Sequence, residues 1–455
     1  MKKCAFITLG CKVNQYETQA LREAIISHGY EEVSSGTPAD LYVVNTCTVT
    51  SASDEKSRQQ IMRVIRRNPD AKVVVTGCSA EVNRDEIRGI DGVDGVFGKG
   101  QDRKIVDFVK SRFVLPGNPR SVSGDLLAPQ ADTVRREKSR FPLNISRFEG
   151  HTRAFLKIED GCDNFCSYCI IPSVRGEIRS KKIEDVILEA ERVVQNGYKE
   201  IVLTGIHLGA YGKESGYQRT ILDVLDKLQD ISGLMRIRLS SMEVNEVTDN
   251  LIDMVANSEK ICPHFHLPLQ SGDDGILKSM NRRYDTFRYL DTVDKIRGKI
   301  DLPAISTDVM VGYPGEEVDQ FENTRRFCEQ VCFSRTHIFS FSPRDGTPAA
   351  GMPDRCTSAE LKKRKKELEL VAVDSSMHYK SLFLGRSMGV LVEKNKERET
   401  GELCGYSDRY LRVVFDGSDE LMNTIVDVEV EKVLPDALFS KISLRDTKEI
   451  QNETS

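Results

Sequence analysis

A loop of three closely spaced cysteines constrains this chain more than any other feature of its sequence. Cys162, Cys166 and Cys169 follow a predicted strand at Ala154–Ile158, with the spacing C-x-x-x-C-x-x-C. Such a loop can wrap around one cluster, in which three thiolates bind three irons of a cubane and the fourth iron stays open to a chelating ligand. A structural zinc site needs a fourth Cys or His; none follows nearby, although the spacing leaves a distant ligand open. The loop therefore predicts an iron–sulfur cluster at the end of a strand.

A second set of cysteines has the same relation to strands near the amino terminus. Cys11, Cys47 and Cys78 each come just after one predicted strand, the three strands being Ala5–Leu9, Leu41–Val44 and Lys72–Val75. Because the carboxyl ends of adjacent parallel strands meet at one edge of a sheet, these thiols can converge on one crevice. The alternative is that they are small buried hydrophobic residues. Each lies among polar or turn residues, which favours a second cluster.

Length and composition predict a cytoplasmic protein of several domains. A chain of 455 residues exceeds one ordinary core, and 39% hydrophobic with 30% charged residues is typical of a globular protein. No apolar run is long enough to cross a bilayer, and the amino terminus lacks the features of a signal peptide. We therefore expect no membrane partner. The twelve cysteines are expected to be ligands or packing residues rather than disulfides.

Short apolar runs alternate with helical patterns along most of the chain, which predicts an α/β fold. In the first part, a doubly wound parallel sheet is expected, with helices near Gln15–Ser27, Asp54–Arg67 and Arg103–Val109. The stretch Leu115–Phe148 is rich in Pro, Gly, Ser and Arg without periodicity, which indicates a linker.

After the linker, six βα units predict a partial (βα)6 barrel. Its expected strands are Ala154–Ile158, Ile201–Leu203, Arg236–Leu239, Phe265–Leu267, Ala304–Val309 and His337–Ser340. A charged helix at Ser358–Tyr379 is followed by β-rich segments that predict a small β-barrel. These segments are Met388–Glu393, Tyr410–Phe415 and Thr424–Val433. We divide the chain into a first domain, a linker, a barrel domain, a β-barrel module and a tail, at residues 1–112, 113–150, 151–378, 379–446 and 447–455.

The cysteine loop resembles the radical S-adenosylmethionine (SAM) superfamily, which has this spacing with an aromatic residue before the last cysteine, here Tyr168. The resemblance implies reductive cleavage of SAM to a 5′-deoxyadenosyl radical, with SAM chelating the open iron and held by later strand ends. At those ends, the residues that lie in segments similar to those of the superfamily are Ser241, Glu243, Gln270 and Asp308. Each is explained equally well by loop capping or hydrogen bonding. No side chain is assigned a catalytic role.

The two cysteine sets, the linker and the β-rich tail together resemble the methylthiotransferase family along nearly the whole chain. Residues 8–17, TLGCKVNQYE, look most like the branch that acts on N6-threonylcarbamoyladenosine beside the tRNA anticodon. The resemblance implies two 4Fe-4S clusters, with Cys162, Cys166 and Cys169 holding the radical cluster. Cys11, Cys47 and Cys78 would then hold an auxiliary cluster that carries sulfur. It also implies a TRAM-like RNA-binding module at the carboxyl terminus.

Other functions stay open at this point. Other branches of the family act on isopentenyladenosine in tRNA or on a ribosomal-protein aspartate. A protein of another class, a noncatalytic iron–sulfur RNA-binding or electron-transfer protein, would need no SAM site. The partners that the resemblance implies are the tRNA anticodon stem-loop and a reductant such as flavodoxin or ferredoxin. The sequence does not identify the sulfur donor.

RNA-binding residues are hard to select, because the net charge of −5 does not show the excess of basic residues that is typical of nucleic-acid-binding proteins. Local candidates are Tyr406, Tyr410 and Arg412 in the tail and the triplet Arg282-Arg283-Tyr284, and each also fits an ordinary surface position. Two basic clusters fit a solvated face as well as an RNA partner. They comprise Arg135, Arg136, Lys138, Arg140, Arg147 and Arg153, and the run Lys362–Lys366. The remaining cysteines, including the helical pair Cys328 and Cys332, are assigned to packing. His207, His264 and His266 lie near barrel strand ends and are assigned to hydrogen bonding, and an approach of these histidines to the active site stays open.

Overall fold

The computed structural model describes residues 2–112, 141, 143–214, 216–353 and 356–443. The chain divides into two compact units, Met1–Ile145 and Ser146–Ser455. Most of the predicted linker and the tail at 447–455 lie outside the described residues, as do four basic residues of the linker cluster, Arg135, Arg136, Lys138 and Arg140.

The first unit contains five strands and five helices among the described residues. The strands are β1 (Lys2–Thr8), β2 (Tyr30–Glu32), β3 (Leu41–Thr46), β4 (Lys72–Gly77) and β5 (Gly95–Val96). The helices are α1 (Lys12–Ile26), α2 (Ser51–Arg67), α3 (Cys78–Val82), α4 (Arg84–Arg88) and α5 (Asp102–Arg112).

The strands of the first unit form one parallel sheet in the order β2-β1-β3-β4-β5. Every residue of β3 is buried, because apolar clusters cover both faces of the sheet. The chain order reverses between β1 and β3, and such a switch point opens a crevice at the carboxyl ends of the strands. The predicted doubly wound sheet is confirmed. The short strands β2 and β5 were not predicted.

The second unit begins with the strands and helices of the predicted barrel. Its strands are β6 (Ala154–Lys157), β7 (Glu159–Asp160), β8 (Arg179–Ser180), β9 (Glu200–Thr204), β10 (Arg236–Leu239), β11 (His264–His266), β12 (Ala304–Val311) and β13 (Arg335–Ser340). Its helices are α6 (Ile171–Arg175), α7 (Ile183–Gln195), α8 (Ile221–Gln229), α9 (Asp249–Ala256), α10 (Asp274–Ser279), α11 (Thr286–Lys299), α12 (Val318–Val331) and α13 (Ser358–Ser381).

Six of these strands form the barrel wall. The sheets β6-β9-β10 and β11-β12-β13 are both parallel. Parallel bridges from Ile237 to Ile261 and from Ser241 to His266 connect the two sheets into one curved wall. The predicted partial (βα)6 barrel is confirmed. Its carboxyl ends all face one rim, where such folds build their sites.

The chain after α13 forms a closed antiparallel barrel with one parallel pair, in the order β14-β15-β16-β18-β17. Its strands are β14 (Ser387–Val392), β15 (Leu403–Ser407), β16 (Arg412–Phe415), β17 (Ile425–Val433) and β18 (Leu438–Ile442). Alternate residues point into an apolar core built around Val390, Val413, Phe415 and Val428. The small β-barrel is confirmed, although β15 and β18 were not predicted.

A buried ion pair fixes this β-barrel to the wall of the larger barrel. Arg238 of β10 donates to Oε1 of Glu200 on β9 at 2.8 Å, and both side chains are almost wholly buried. The same guanidinium donates to the carbonyl oxygens of Ser407 and Asp408 at 3.1 and 2.7 Å. Although burial opposes ionisation, the charges of Arg238 and Arg153 hold the pKa of Glu200 below its usual range.

The tyrosines proposed for RNA binding belong to this contact. The Tyr410 ring lies 4.5 Å from the Arg238 guanidinium, and the Tyr406 ring lies 4.6 Å from that of Arg153. Arg412 forms ion pairs with Glu397 and Asp436. These three side chains are half-buried and contribute to the fold, and their role in RNA binding stays a prediction.

The basic run on α13 is not a continuous exposed patch. Arg364 is buried and donates to Oε2 and the carbonyl oxygen of Glu316 at 2.8 and 2.9 Å, whereas Lys362, Lys363 and Lys366 are exposed. Within the described ranges, none of the helices combines the length and the apolar character that a membrane crossing requires.

Candidate active site

The loop of three cysteines leaves the barrel wall through a glycine that no other residue could replace without strain. Gly161 has φ +97°, and a Cβ at this position would lie 2.2 Å from the carbonyl oxygen of Glu177. The backbone therefore turns tightly between β7 and Cys162. This turn places the thiols of Cys162, Cys166 and Cys169 at the carboxyl ends of the barrel strands.

The three thiols lie close enough to affect one another's ionisation. Burial raises the pKa of Cys162 to about 12, and the charges of Cys169 and Cys166 add to the rise. Burial likewise raises the pKa of Cys169 to about 11. The loop thus gathers its sulfur atoms in a poorly solvated position, where a cluster would replace the thiol protons.

Arg282 is the cation of this site. Its Nη1 lies 3.2 Å from the Sγ of Cys166 and 3.5 Å from the hydroxyl of Tyr168, while Nη2 pairs with Glu243. Its Nε donates to the hydroxyl of Tyr284 at 3.1 Å. The triplet proposed for RNA binding is therefore divided, because Arg282 and Tyr284 are turned inward while Arg283 is exposed.

A buried acid and a histidine flank the first cysteine. The backbone N–H of His207 donates to Oε2 of Glu159 at 2.7 Å, and burial raises the pKa of this carboxyl well above its usual range. A side chain at Gly205 would lie 2.6 Å from Oε2 of Glu159, so glycine leaves the space that the carboxyl occupies. The Nδ1 of His207 is 4.0 Å from the Sγ of Cys162, and its Nε2 is 2.8 Å from Glu246.

The residues predicted to hold SAM fall into two groups. Tyr168 and Glu243 converge on Arg282, beside Cys166. Ser241 is bridged to the backbone of His266, whose Nε2 lies 3.2 Å from Oδ2 of Asp308. The first group is thus brought to the cysteine loop. The second lies on strands β10 to β12 of the wall.

Gln270 has a buried side-chain oxygen that could accept a hydrogen bond from a ligand. Its backbone is held in the left-handed region at φ +67°, and its N–H donates to the carbonyl oxygen of Asp308 at 2.9 Å. The side chain is buried, yet Oε1 has no hydrogen-bond partner among the described residues. An unsatisfied buried amide oxygen costs roughly 1–3 kcal/mol, which a bound donor group would recover.

A small polar cavity opens beside the cysteine loop. Its volume is about 100 Å³, and Cys166, Glu243 and Arg282 lie in its wall. The other lining residues are Asn164, His207, Lys213, Asn245, Glu246, Asn281 and Arg283. Acids and cations alternate around the cavity, an arrangement that suits a ligand carrying both an ammonium and a carboxylate.

The second set of thiols lies at the switch point of the first unit. Cys11 follows β1, Cys47 follows β3 and Cys78 follows β4, and these three strands are adjacent in the sheet. Burial raises the pKa of Cys47, and the charges of Cys78 and Cys11 contribute. Cys11 is exposed, so the crevice is open on one side.

Two features bring the turn before Cys11 close to Cys47. Gly10 has φ +110°, and a Cβ there would lie 3.0 Å from the Cβ and 3.2 Å from the Sγ of Cys47. The amide of Asn14 donates to the carbonyl oxygens of Leu9 and Thr46 at 3.0 and 2.9 Å, which ties the ends of β1 and β3 together. The crevice thus depends on a glycine and on a buried amide.

The other histidines and cysteines have ordinary structural roles. His264 and His266 both hydrogen bond to Ser306 Oγ, at 3.2 and 3.0 Å. Cys328 is buried in α12, and Cys332 ends that helix with its Sγ 3.9 Å from a carbonyl oxygen.

Comparison with known proteins decides the family. Residues 3–98 match the model of an uncharacterized protein family, UPF0004, and residues 156–328 match that of the radical SAM superfamily. A threonylcarbamoyladenosine tRNA methylthiotransferase, MtaB, of Bacillus subtilis is 38% identical over 437 residues, which cover 95% of this chain and 94% of the relative. The chain belongs to the radical SAM methylthiotransferase family.

Relatives that are named for a different modified adenosine also match this methylthiotransferase. The tRNA-2-methylthio-N6-dimethylallyladenosine synthase of Pelotomaculum thermopropionicum is 32% identical over 436 residues, or 94% of this chain and 95% of the relative. Among solved structures, the radical SAM methyltransferase TsrM of Kitasatospora setae has a TM-score of 0.52 at 16% identity, covering 77% of each chain. At this identity the likeness concerns the fold alone.

Membership in the radical SAM methylthiotransferase family implies a 4Fe-4S cluster and SAM, and the cysteine loop fits both. Its donor set is three thiols, the ligands that iron–sulfur clusters use, and Arg282 supplies a charged hydrogen bond to one of them. Within the described ranges, no three His, Cys, Asp or Glu side chains are placed to share a single metal ion. A cubane does not need such a group, because each thiolate binds a different iron.

Sequence reasoning missed Glu159 of the methylthiotransferase site and assigned Arg282 to RNA, whereas it placed His207 near a barrel strand end and left an approach to the active site open. In the fold, Arg282, His207 and Glu159 all surround the cysteine loop. The signal for Arg282 was an Arg-Arg-Tyr triplet in a chain of net charge −5. That signal was assigned to RNA because the sequence does not report which of two adjacent arginines is buried.

Proposed function

We propose that this methylthiotransferase converts N6-threonylcarbamoyladenosine at position 37 of tRNA, next to the anticodon, into its 2-methylthio derivative. The observation that carries the proposal is the 38% identity to the Bacillus subtilis relative along 95% of the chain. A relative from Thermotoga maritima with the same printed name is 38% identical over 92% of the chain. The relative named for dimethylallyladenosine is 32% identical.

The proposal assigns one 4Fe-4S cluster to each set of thiols. Cys162, Cys166 and Cys169 would hold the cluster that, when bound, supplies the electron for reductive cleavage of SAM. For Cys11, Cys47 and Cys78, the pure sulfur donor set and the position at a topological switch point favour a second cluster, which would supply the sulfur.

The chain's own residues would bind and orient SAM. Glu243 presents a carboxylate at the cavity wall for an ammonium group, and Arg282 presents a guanidinium for a carboxylate. The unpaired Oε1 of Gln270 would accept a hydrogen bond from the ligand, and Tyr168 would close the site beside Cys169. Ser241 and Asp308 would line the more distant part of the pocket.

We further propose the division into a cluster domain, a radical SAM domain and a TRAM-like RNA-binding module at residues 1–112, 151–378 and 379–446. A cytoplasmic enzyme of this kind would take electrons from a flavodoxin or ferredoxin and bind the tRNA anticodon stem-loop. Tyr406, Tyr410 and Arg412, which are half-buried, stay candidate RNA-binding residues of that module.

The second candidate is methylthiolation of isopentenyladenosine, which the name of the Pelotomaculum relative favours. Deletion of the gene, followed by mass spectrometry of nucleosides from bulk tRNA, separates the two. The proposal predicts loss of 2-methylthio-N6-threonylcarbamoyladenosine and accumulation of its precursor, both reversed by the wild-type gene. Loss of the 2-methylthio form of isopentenyladenosine alone would establish the second candidate instead.

A further inference from the structure

An aromatic side chain is displayed to solvent within the cysteine loop itself. Phe165 lies between Cys162 and Cys166, and 66% of its surface is exposed. No aromatic ring or cation among the described residues packs on it. Exposing a large apolar ring is unfavourable by about 25 cal/mol for each Å² of apolar surface left in water. The fold therefore gains nothing from the ring at this position.

The backbone of Phe165 is also strained. Its φ of +47° lies in the left-handed region, which is costly for a bulky residue other than glycine. Such strain persists only where the surroundings impose it, and it is concentrated at functional sites. The conformation turns the ring away from the core and toward solvent.

The surroundings that impose this conformation are on the loop after α10. The amide of Asn281, itself at φ +58°, donates to the carbonyl oxygen of Phe165 at 2.9 Å. The backbone N–H of Ser167 donates to the carbonyl oxygen of Met280 at 3.0 Å. Two left-handed residues on two loops thus hold each other, and both loops contribute residues to the cavity, Cys166 from one and Asn281 from the other.

An exposed cation contacts the same loop. Arg283 donates from Nη2 to the carbonyl oxygen of Asp163 at 2.7 Å, two residues before Phe165. Among the described residues, no carboxylate forms an ion pair with it. A flat apolar ring on a loop that an unneutralised guanidinium contacts is a combination that suits a single-stranded nucleic acid, with a base on the ring and a phosphate on the cation.

We propose that Phe165 and Arg283 bind one nucleotide of the single-stranded RNA loop at the mouth of the radical site. This inference rests on the proposed function and extends it to the residues that hold the substrate. One ring and one cation match one nucleotide, whereas even a transient redox partner buries several hundred Å² on each side. The patch therefore favours RNA over a protein reductant.

The test measures binding of a fluorescein-labelled anticodon stem-loop to the reconstituted full chain by fluorescence anisotropy. Phe165→Gly removes the ring while keeping a residue that accepts the left-handed φ, so the variant is expected to fold. Loss of one stacked base should weaken RNA binding about tenfold or more. Phe165→Trp should bind as wild type does. Leu370→Ala is the control for loss of an exposed apolar side chain, because this leucine on α13 is 60% exposed and belongs to neither the cysteine loop nor the loop after α10.

Three results would overturn the inference. RNA binding by Phe165→Gly equal to that of wild type would remove the ring from the interface. If Phe165→Gly bound SAM more weakly than wild type in the absence of RNA but bound RNA as tightly as wild type, the ring would be assigned to SAM binding. If Phe165→Gly reacted more slowly than wild type with flavodoxin but at the wild-type rate with dithionite, and still bound RNA normally, the ring would be assigned to the reductant.

The inference and the proposed function fail in different ways. A wild-type enzyme that methylthiolates tRNA, together with a Phe165→Gly variant that binds RNA normally, removes only the inference. A wild-type enzyme that binds no anticodon stem-loop removes both.

Discussion

Arg282 places a guanidinium nitrogen 3.2 Å from the Sγ of Cys166, and its second nitrogen pairs with Glu243. A cluster sulfur ligand that accepts a charged hydrogen bond carries less negative charge, which makes the cluster easier to reduce. If Cys166 holds the radical cluster as proposed, Arg282 should act on that cluster through Cys166, in addition to its proposed contact with SAM.

Replacing Arg282 with methionine should make the midpoint potential of the radical cluster more negative, because the positive charge and the hydrogen bond are both lost. A potentiometric titration followed by electron paramagnetic resonance measures this. Arg288→Met removes an arginine that pairs with Asp291 on the surface of α11 and should leave the potential unchanged. An unchanged potential in the Arg282 variant would show that the contact does not affect the cluster.

The two thiol sets should have separable roles. Cys166→Ala and Cys47→Ala should each lose about half of the bound iron, because each removes a ligand of a different cluster. Only Cys166→Ala should abolish cleavage of SAM, whereas Cys47→Ala should keep cleavage and lose methylthio transfer. Cys328→Ala removes a buried thiol outside both sets and should keep all the iron. Loss of SAM cleavage in both variants would contradict this division.

Gly10 should be required for the cluster of the first unit. Gly10→Ala adds a Cβ 3.0 Å from that of Cys47, so it should displace Cys11 and reduce the iron content by about half. Gly29→Ala is the matched control, because Gly29 also has positive φ but a Cβ there has no neighbour within 4 Å. Both variants carry backbone strain. If both lost the same iron, strain rather than contact with Cys47 would be the cause.

Glu200 should hold the β-barrel against the larger barrel. Glu200→Gln leaves Arg238 buried without its counter-ion and should lower the free energy of unfolding by about 3–5 kcal/mol at pH 7. Glu322→Gln, which removes an exposed partner of Arg325 and Arg326, should leave the unfolding midpoint close to that of wild type. Equal midpoints for both variants would contradict a role for the buried pair.

The pH dependence of stability should report the same pair. Because the pKa of Glu200 is lower in the folded state than in the unfolded chain, its contribution is present above the unfolded pKa, near 4.5. That contribution is lost as the pH falls through the folded pKa. The difference in unfolding free energy between wild type and Glu200→Gln should therefore shrink as the pH is lowered below about 4.5. If the difference in unfolding free energy did not change with pH, the ionised carboxyl of Glu200 would not be its cause.

Sequence patterns were sufficient for the strands that carry the thiols. Each of the strands β1, β3 and β4 is an apolar run followed by a turn and a cysteine, so periodicity located the thiols and parallel topology brought them together. Patterns were insufficient for β15, which contains Gly405, and for β18, which follows a proline turn. Tyr410 was placed in a strand, but its φ of +61° puts it in the turn before β16.

Contacts between segments that are distant in sequence could not be predicted from these local patterns. Arg282 reaches Cys166 across 116 positions of sequence, and nothing local distinguishes it from the exposed Arg283. The same holds for Tyr406 and Tyr410, whose aromatic character suited RNA but whose rings lie against Arg153 and Arg238. Burial of an arginine depends on the partners that the whole fold supplies, so the local sequence does not report it.

The central claim is tested most directly with the purified, reconstituted enzyme and two anticodon stem-loops, one carrying N6-threonylcarbamoyladenosine and the other isopentenyladenosine. With SAM, dithionite and a sulfide source under anaerobic conditions, mass spectrometry of the digested RNA should show the 2-methylthio product on the threonylcarbamoyl substrate. Cys166→Ala and Cys47→Ala should form none. Methylthiolation of the isopentenyl substrate alone, or product formation by the Cys47 variant, would contradict the account.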